Sequence, residues 1–234
     1  MTTVRVTAMT HRGAVRESNE DALVIGPLTA CGVTMSDPVT CELALSTPVL
    51  VAVADGMGGH AAGAVASAHT ARTLATAPPQ NDADLVATLN QIDTDLQAMT
   101  DPAVAGLGTT VAAVLLTPEK GTQVGVGDSR VYLADGGYLS QVSTDHRGPG
   151  GGLTQCLGGR ADGAPLRITP EPLTNTNGLL ICSDGLSDLV PLETMEELLD
   201  TTDEPPRIVK SLWAAAMNAS GRDNITIALV EYVP

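Results

Sequence analysis

Short apolar segments of strand length recur along this chain between polar or glycine-rich stretches. Several are apolar at consecutive positions, as in Val111–Leu116, a pattern typical of strands that are covered on both faces. Between two of the segments, Asp135-Gly136-Gly137 predicts a tight antiparallel hairpin, because glycine tolerates the positive φ of such turns. The predicted strands span residues 4–9, 22–25, 48–54, 109–116, 123–126, 131–134, 138–142, 178–182 and 224–233.

Longer stretches with apolar residues at helical spacing lie between groups of strands. Leu85, Leu89, Ile92 and Leu96, for example, recur every three or four positions. We predict helices at residues 61–75, 83–99 and 206–218. This order favours an α+β fold in which two antiparallel sheets pack face to face and helices cover both outer sides.

Glycine- and proline-rich segments at residues 26–48, 77–81 and 146–152 are predicted to be loops. None of them separates two independent apolar clusters, so we expect residues 1–234 to form one domain. Phe is absent and aromatic residues make up only 2% of the chain, which leaves Ala, Val, Leu and Ile to fill the core. Four cysteines without metal-binding or paired spacing are interpreted as reduced thiols: Cys31, Cys41, Cys156 and Cys182.

The chain is strongly acidic, with 27 acidic against 12 basic side chains and a formal charge of −15. This charge repels nucleic acids and anionic membrane surfaces, so neither is expected as a partner. Residues 1–13 have no apolar core of the signal-peptide type, and no run approaches the roughly 18 apolar residues that span a bilayer. We expect a cytoplasmic protein that acts as a monomer.

Acidic residues stand at the ends of several predicted strands. Because strand ends meet at the rims of sheets, these carboxylates are expected to cluster, and such a cluster repels itself unless cations neutralise it. An isolated Asp-Gly is more often a turn, which is how we interpret Asp135-Gly136 in its hairpin. The acidic positions are Glu20 and Asp21 before 22–25, Asp55 after 48–54, Asp128 after 123–126, Asp184 after 178–182, and Asp223 before 224–233.

Oxygen ligands without nearby His or Cys select hard cations, and Mg²⁺ or Mn²⁺ suits carboxylates that share the coordination shell with water. Two such ions about 3.5–4 Å apart can bind one bridging water, lower its pKa and stabilise an in-line displacement at phosphorus. The acidic pattern therefore predicts hydrolysis of a phosphate ester without a protein nucleophile.

The chain resembles the metal-dependent protein phosphatases of type 2C, in their bacterial form. The resemblance covers almost the whole sequence and keeps the family's order of motifs. It rests on Arg16-Glu17-Ser18-Asn19-Glu20-Asp21, Val53-Ala54-Asp55-Gly56-Met57-Gly58-Gly59-His60, Gly108-Thr109-Thr110, Val126-Gly127-Asp128-Ser129-Arg130, Ser183-Asp184-Gly185-Leu186 and Arg222-Asp223-Asn224-Ile225-Thr226.

The resemblance implies a four-layer αββα fold with the metal ions at one edge of the central sandwich. It implies that Asp55 bridges both ions, that the carbonyl of Gly56 binds one, and that Asp184 and Asp223 hold the other. Glu20 or Asp21 would act directly or through water, and Asp128 together with Asp184 would form a third, weaker metal site. Arg16 would bind the substrate phosphate, while His60 would be either a proton donor to the leaving oxygen or a substrate contact.

The sequence departs from the family after Thr144-Asp145-His146. Bacterial relatives carry a flap of a few tens of residues there, whereas here only residues 147–152 precede Leu153-Thr154-Gln155-Cys156-Leu157-Gly158. A flap this short is expected to be a mobile surface loop and to change substrate selection and the surroundings of the third metal.

These features predict a phosphatase that releases phosphate from phosphoserine and phosphothreonine in proteins phosphorylated by kinases. Two alternatives use the same fold: a non-catalytic phosphoprotein-binding pseudophosphatase and a phosphatase of a sigma-factor regulator. The complete acidic set argues against the first, and Arg16 with the intact bacterial motifs argues against the second.

Overall fold

The computed structural model describes residues 3–58, 61–99, 101, 106–159, 166–174 and 177–233. The strands in this part of the chain are β1 (Thr3–His11), β2 (Asp21–Ile25), β3 (Leu28–Cys31), β4 (Val39–Ala44), β5 (Val49–Met57), β6 (Gly108–Thr109), β7 (Val111–Leu116), β8 (Gly121–Val126), β9 (Arg130–Asp135), β10 (Tyr138–Gln141), β11 (Leu157–Gly158), β12 (Glu171–Leu173), β13 (Gly178–Cys182) and β14 (Ile225–Val233). The helices are α1 (Ala61–Thr76), α2 (Asp82–Ala98), α3 (Asp184–Ser187), α4 (Leu192–Leu199) and α5 (Pro205–Ala219).

The strands form two sheets in which every pair is antiparallel. One sheet has the order β10-β9-β13-β14-β1-β4. The other has the order β11-β6-β5-β7-β8-β12; β2 also pairs with β5, and β3 pairs with β2. β5 and β14 therefore each have a neighbouring strand on both sides.

Three apolar layers hold the sheets and helices together. One fills the space between the sheets, and the other two lie between each sheet and its covering helices. β13 shows how a continuous apolar run serves two layers: Leu179 and Ile181 face the opposite sheet, while Leu180 and Cys182 face α3–α5. Burying one such leucine contributes about 1.5–3 kcal/mol. The predicted αββα architecture is confirmed.

Local sequence signals explain where two of the helices begin. The side chain of Asn81 caps α2 by accepting a hydrogen bond from the backbone N–H of Asp84 at 3.0 Å. The carboxylates of Asp82 and Asp84 in its first turn interact favourably with the positive N-terminal end of the helix dipole. α5 begins at Pro205, whose fixed φ suits the first helical position.

The prediction of a loop over residues 26–48 is wrong, because β3 and β4 lie within it. Both are edge strands with partly exposed side chains, and β4 alternates between exposed and half-buried positions. An edge strand needs few apolar residues, so its sequence looks like that of a loop. The short α3 and α4 were also missed, and the predicted strand 109–116 is divided into β6 and β7.

The hairpin of β9 and β10 is confirmed, and both Gly136 and Gly137 have positive φ. No disulfide joins the four cysteines, all of which lie in the described residues. Among those residues no helix is long and apolar enough to cross a membrane.

Candidate functional site

Seven of the nine predicted site residues line one cleft of about 330 Å³ at the rim of the sandwich. Segments from both sheets contribute to it, because β2, β5, β8, β13 and β14 begin or end there. Its lining includes Arg16, Glu20, Asp55, Gly56, Asp128, Asp184 and Asp223. His60, the remaining predicted catalytic residue, lies outside the described residues.

Asp21 lies beneath this cleft and does not line it. The register of β2 against β5 places Asp21 opposite Asp55. Its Oδ2 accepts hydrogen bonds from the hydroxyls of Ser183 at 2.8 Å and Thr226 at 2.7 Å. Its Oδ1 is buried and has no hydrogen-bond partner among the described residues. A fully buried carboxylate with one oxygen unsatisfied is suited to interact with a cation or an ordered water.

Asp55 is fixed through its backbone. Its N–H donates to the hydroxyl of Thr110 at 3.0 Å, while its carbonyl accepts from the backbone N–H of Thr110 at 2.9 Å and from the hydroxyl of Thr109 at 2.9 Å. The hydroxyls of Thr110 and Ser129 are 2.7 Å apart, which connects this anchor to the segment after Asp128. The end of β5 is therefore held where its carboxylate enters the cleft.

The glycines beside the site residues allow close backbone approach. A Cβ on Gly56 would lie 2.2 Å from the carbonyl oxygen of Gly63 in α1, and one on Gly185 would lie 1.8 Å from that of Asn224. Neither contact leaves room for a side chain. By contrast, Gly136 has positive φ and no heavy atom within 4 Å of its Cβ position, as expected of the predicted turn.

Gly63 also makes room for the side chain of Glu20. A Cβ at Gly63 would lie only 2.3 Å from Oε2 of Glu20. The backbone of Glu20 is held in turn, since its carbonyl accepts from the hydroxyl of Ser67 at 2.5 Å and from the N–H of Gly56 at 3.2 Å. The first turns of α1 thus define where this carboxylate lies.

Two arginines pair with the carboxylates of the cleft. Arg16 donates to Asp223 at 2.8 Å, and Arg147 contacts Asp128 at 2.6 Å and Asp184 at 3.3 Å. In the described part of the chain, no three His, Cys, Asp or Glu side chains are close enough together to form a preformed metal cluster.

Burial raises the pKa of four carboxyl groups in or next to the cleft, because it disfavours their charged forms. The pKa of Asp21 is raised to about 7 and that of Asp184 to about 6. Burial raises the pKa of Asp55 well above its ordinary value, and the nearby charge of Asp21 adds to this effect. Burial also raises the pKa of Asp128, although Arg147 opposes the increase. Divalent cations reverse such changes in pKa, so their binding releases protons.

Comparison with known proteins assigns this arrangement to a family. A family model described as protein phosphatase 2C matches residues 37–228, most of the chain. The chain belongs to the protein phosphatase 2C family. The serine/threonine phosphatase stp of Listeria monocytogenes is 29% identical to this phosphatase over 251 residues, covering 95% of this chain and 93% of that protein. The serine/threonine protein phosphatase PstP of Mycobacterium tuberculosis is 30% identical over 259 residues, covering 98% of this chain and 45% of that protein.

A solved structure supports the use of divalent metal ions. The crystal structure of the PstP catalytic domain in complex with two manganese ions covers 100% of both chains, with a TM-score of 0.77 and 29% identity. The enzyme class of this chain is that of a bacterial-type protein serine/threonine phosphatase. Family membership and the manganese complex together indicate that it uses divalent metal ions.

Several residues that position the site of this phosphatase were not predicted from the sequence to have a role. Thr109, Thr110, Ser183, Asn224 and Thr226 lie within the family motifs, yet each acts through hydrogen bonds that join distant segments. The sequence feature that could have identified them is a hydroxyl or amide side chain close to an acidic residue at the end of a strand. Arg147 had no such feature, because it lies in the segment that departs from the family.

Proposed function

We propose that this phosphatase hydrolyses phosphoserine and phosphothreonine in proteins by in-line attack of water, with inversion at phosphorus. The convergence of carboxylates from five separate segments with Arg16 in one cleft is the observation that carries the proposal. When bound, two Mg²⁺ or Mn²⁺ ions would supply an activated water and stabilise the developing negative charge.

The donor atoms of this chain suit such ions. Carboxylate and carbonyl oxygens are the ligands that Mg²⁺ and Mn²⁺ prefer. We assign Asp55 and the carbonyl of Gly56 to one ion, with Asp55 shared, and Asp184 and Asp223 to the other. Glu20 and the buried Asp21 would act directly or through water. The unsatisfied Oδ1 of Asp21 supports this assignment, because a buried charged oxygen is costly unless a partner compensates it.

Arg16 would recognise the substrate phosphate. Its side chain is 49% exposed, and it reaches the cleft from the segment before β2 while paired with Asp223. A guanidinium can donate two parallel hydrogen bonds to phosphate oxygens. Arg16 would therefore hold the phosphoryl group beside Asp223. His60 is retained as a proposed proton donor or substrate contact.

The substrates would be phosphorylated proteins made by serine/threonine kinases. The acidic charge of −15 disfavours nucleic acid as a partner. We further propose that residues 1–234 form a single catalytic domain that acts as a cytoplasmic monomer.

Release of phosphate from a phosphothreonine peptide tests this function. Activity should require added Mn²⁺ or Mg²⁺, stop with excess EDTA and fall by at least about 10²-fold in Asp184→Asn, since one activated water serves the reaction. Asp135→Asn is the matched control, because Asp135 also precedes a glycine but lies in the β9–β10 turn, away from the cleft. A folded protein that is inactive with every metal and phosphopeptide tried would instead support a phosphoprotein-binding role, and one active only on a phosphorylated sigma-factor regulator would support the other alternative.

A further inference from the structure

The guanidinium of Arg147 contacts three carboxylates at one side of the cleft. Its Nε donates to Oδ2 of Asp128 at 2.6 Å. Its Nη2 lies 3.3 Å from Oδ2 of Asp184 and 2.7 Å from Oδ2 of Asp188. One fixed cation therefore lies among the acidic residues for which the family resemblance implied a third metal ion.

The shortened flap directs Arg147 to this place. The N–H of His146 donates to the carbonyl of Gly127 at 2.8 Å, and the N–H of Gly127 donates to Nδ1 of His146 at 3.1 Å. Arg147 forms an isolated bridge with Leu153, and the N–H of Thr154 donates to the carbonyl of His146 at 2.8 Å. The stem of the flap is thus bonded to the residue just before Asp128, which brings Arg147 beside that carboxylate.

The turn between Arg147 and Leu153 is closed as well. The N–H of Gly148 donates to the carbonyl of Gly152 at 2.9 Å, and the N–H of Gly151 donates to that of Gly148 at 2.9 Å. Only five residues, four of them glycine, lie between Arg147 and Leu153. This turn adds no bulk above the cleft, so the main group that the flap presents to the acidic cluster is the guanidinium.

We propose that Arg147 takes the place of the third metal ion in this phosphatase, so that the enzyme binds two ions with Arg147 as a built-in third cation. The proposal rests on the proposed two-metal function, because Asp184 is shared between that site and Arg147. Arg147 acts as a positioning residue, because it holds Asp184 and Asp128 in place through its ion pairs.

The charges favour the guanidinium over a weakly held ion. The side chain of Asp128 is only 9% exposed, so its charge needs a nearby partner. Arginine stays charged at all working pH values and is already tethered beside the site, whereas an ion must be captured from solution. Asp188 is shared with a second arginine, since its Oδ1 lies 3.7 Å from Nη2 of Arg130. Two arginines therefore balance this cluster.

Counting bound Mn²⁺ in the absence of substrate tests the proposal independently of activity. Equilibrium titration followed by electron paramagnetic resonance should give two ions for the wild type. Arg147→Met keeps the length of the side chain but removes its charge, and we expect it to gain a third ion at least about tenfold more tightly than any third binding by the wild type. Adding Asp128→Asn to this variant should abolish the gain.

Arg167→Met is the matched control. Arg167 lines a separate pocket together with Gln155, on a segment that follows the flap, so its loss should leave two ions bound. Arg147→Lys keeps a charge and should also stay at two. Thermal unfolding in Mn²⁺ identifies any variant that has lost its fold. If Arg147→Met does not fold, anomalous diffraction from wild-type crystals soaked in Mn²⁺ tests the proposal instead. Two metal sites in these crystals support it, and three overturn it.

Three tightly bound ions in the wild type, or an unchanged count in folded Arg147→Met, would overturn the proposal. In steady-state assays on a phosphopeptide, loss of the positioning cation should lower kcat severalfold and leave KM nearly unchanged. If the variants differ in metal count while no phosphopeptide is hydrolysed, the proposed function fails and the role of Arg147 stands. If hydrolysis requires metal but the metal counts of the variants do not differ, the proposed function stands and the proposed role of Arg147 fails.

Discussion

The side-chain carbonyl of Asn224 accepts a hydrogen bond of 2.7 Å from the backbone N–H of Glu20, across 204 positions of sequence. The amide nitrogen of Asn224 donates to the carbonyls of Arg12 at 3.0 Å and Ser18 at 2.9 Å. Its backbone N–H donates to Oδ1 of Asp223 at 2.9 Å. One buried amide therefore joins the segment that carries Arg16 and Glu20 to the strand that follows Asp223.

Replacement of Asn224 by Ala should lower both stability and activity. It removes one buried and two partly buried hydrogen bonds, each worth about 1 kcal/mol, and leaves their backbone partners without this amide. We expect the free energy of unfolding to fall by about 2–4 kcal/mol in urea denaturation, with a larger proportional loss of phosphatase activity. Asn177→Ala is the control, since exposed Asn177 bonds only to the turn residue Asp135 in the described structure. Equal effects of the two substitutions would refute the positioning role of Asn224.

Replacement of Gly63 by Ala should damage the site although alanine suits a helix better. The helix propensity of Ala favours it by about 1 kcal/mol. The added Cβ would lie 2.3 Å from Oε2 of Glu20 and 2.7 Å from the backbone of Gly56, so a displacement of the site is unavoidable. We expect a net loss of about 1–3 kcal/mol in unfolding free energy and weaker Mn²⁺ binding by titration calorimetry.

Gly125→Ala in β8 is the matched control for Gly63→Ala. Its Cβ would meet the nearest atom, Cβ of Ser143, at 3.5 Å, an ordinary contact. Mn²⁺ affinity should stay at the wild-type value in this variant. An unchanged affinity in Gly63→Ala as well would show that α1 does not define the position of Glu20.

The thermal stability of the protein should depend on pH in opposite ways with and without metal. The pKa of Asp21 is about 7 and that of Asp184 about 6 in the fold, against an ordinary value of 3.8, so the folded state binds more protons between these values. In EDTA, the stability that these protons contribute is therefore full below about pH 4 and is lost as pH rises through 6 and 7. Each unit by which folding raises the pKa of a group corresponds to about 1.4 kcal/mol of this contribution to stability.

Mn²⁺ should reverse this trend, because it binds the deprotonated carboxylates and stabilises the fold more as pH rises. Differential scanning fluorimetry from pH 5 to 8, with EDTA or Mn²⁺, measures both slopes. Asp21→Asn has no charge to bury and should show a shallower slope in EDTA. A wild-type midpoint that rises with pH in EDTA would contradict the burial of these groups.

Replacement of Arg16 by Lys should raise KM for a phosphopeptide by about tenfold. Lysine keeps the charge but loses the guanidinium fork that grips two phosphate oxygens. Mn²⁺ stoichiometry should stay the same, because Arg16 is not a metal ligand. Arg5→Lys provides the control, as Arg5 pairs with Glu42 across β1 and β4, outside the cleft. A KM change no larger than that of the control would remove Arg16 from substrate binding.

Much of the architecture could be predicted because it depends on local pattern. Runs such as Leu179–Cys182 must be covered on both faces whatever the rest of the chain does, and in the fold they separate two of the apolar layers. The strands within residues 26–48 could not be predicted in this way. β4 is stabilised by pairing with β1 and needs little apolar surface of its own, so only the neighbouring strand reveals it.

The sequence by itself determined the acidic positions, their oxygen chemistry and their place at the rim of the sandwich, because each carboxylate lies at or next to the end of a strand. The tertiary structure alone decided which groups support them. Hydrogen bonds and ion pairs act over about 3 Å in space and carry no signal of their own at the distant sequence positions that they join. The buried hydroxyls around Asp21, the space that Gly63 leaves for Glu20, and the reach of Arg147 to Asp128 and Asp184 exist only once the sheets have packed.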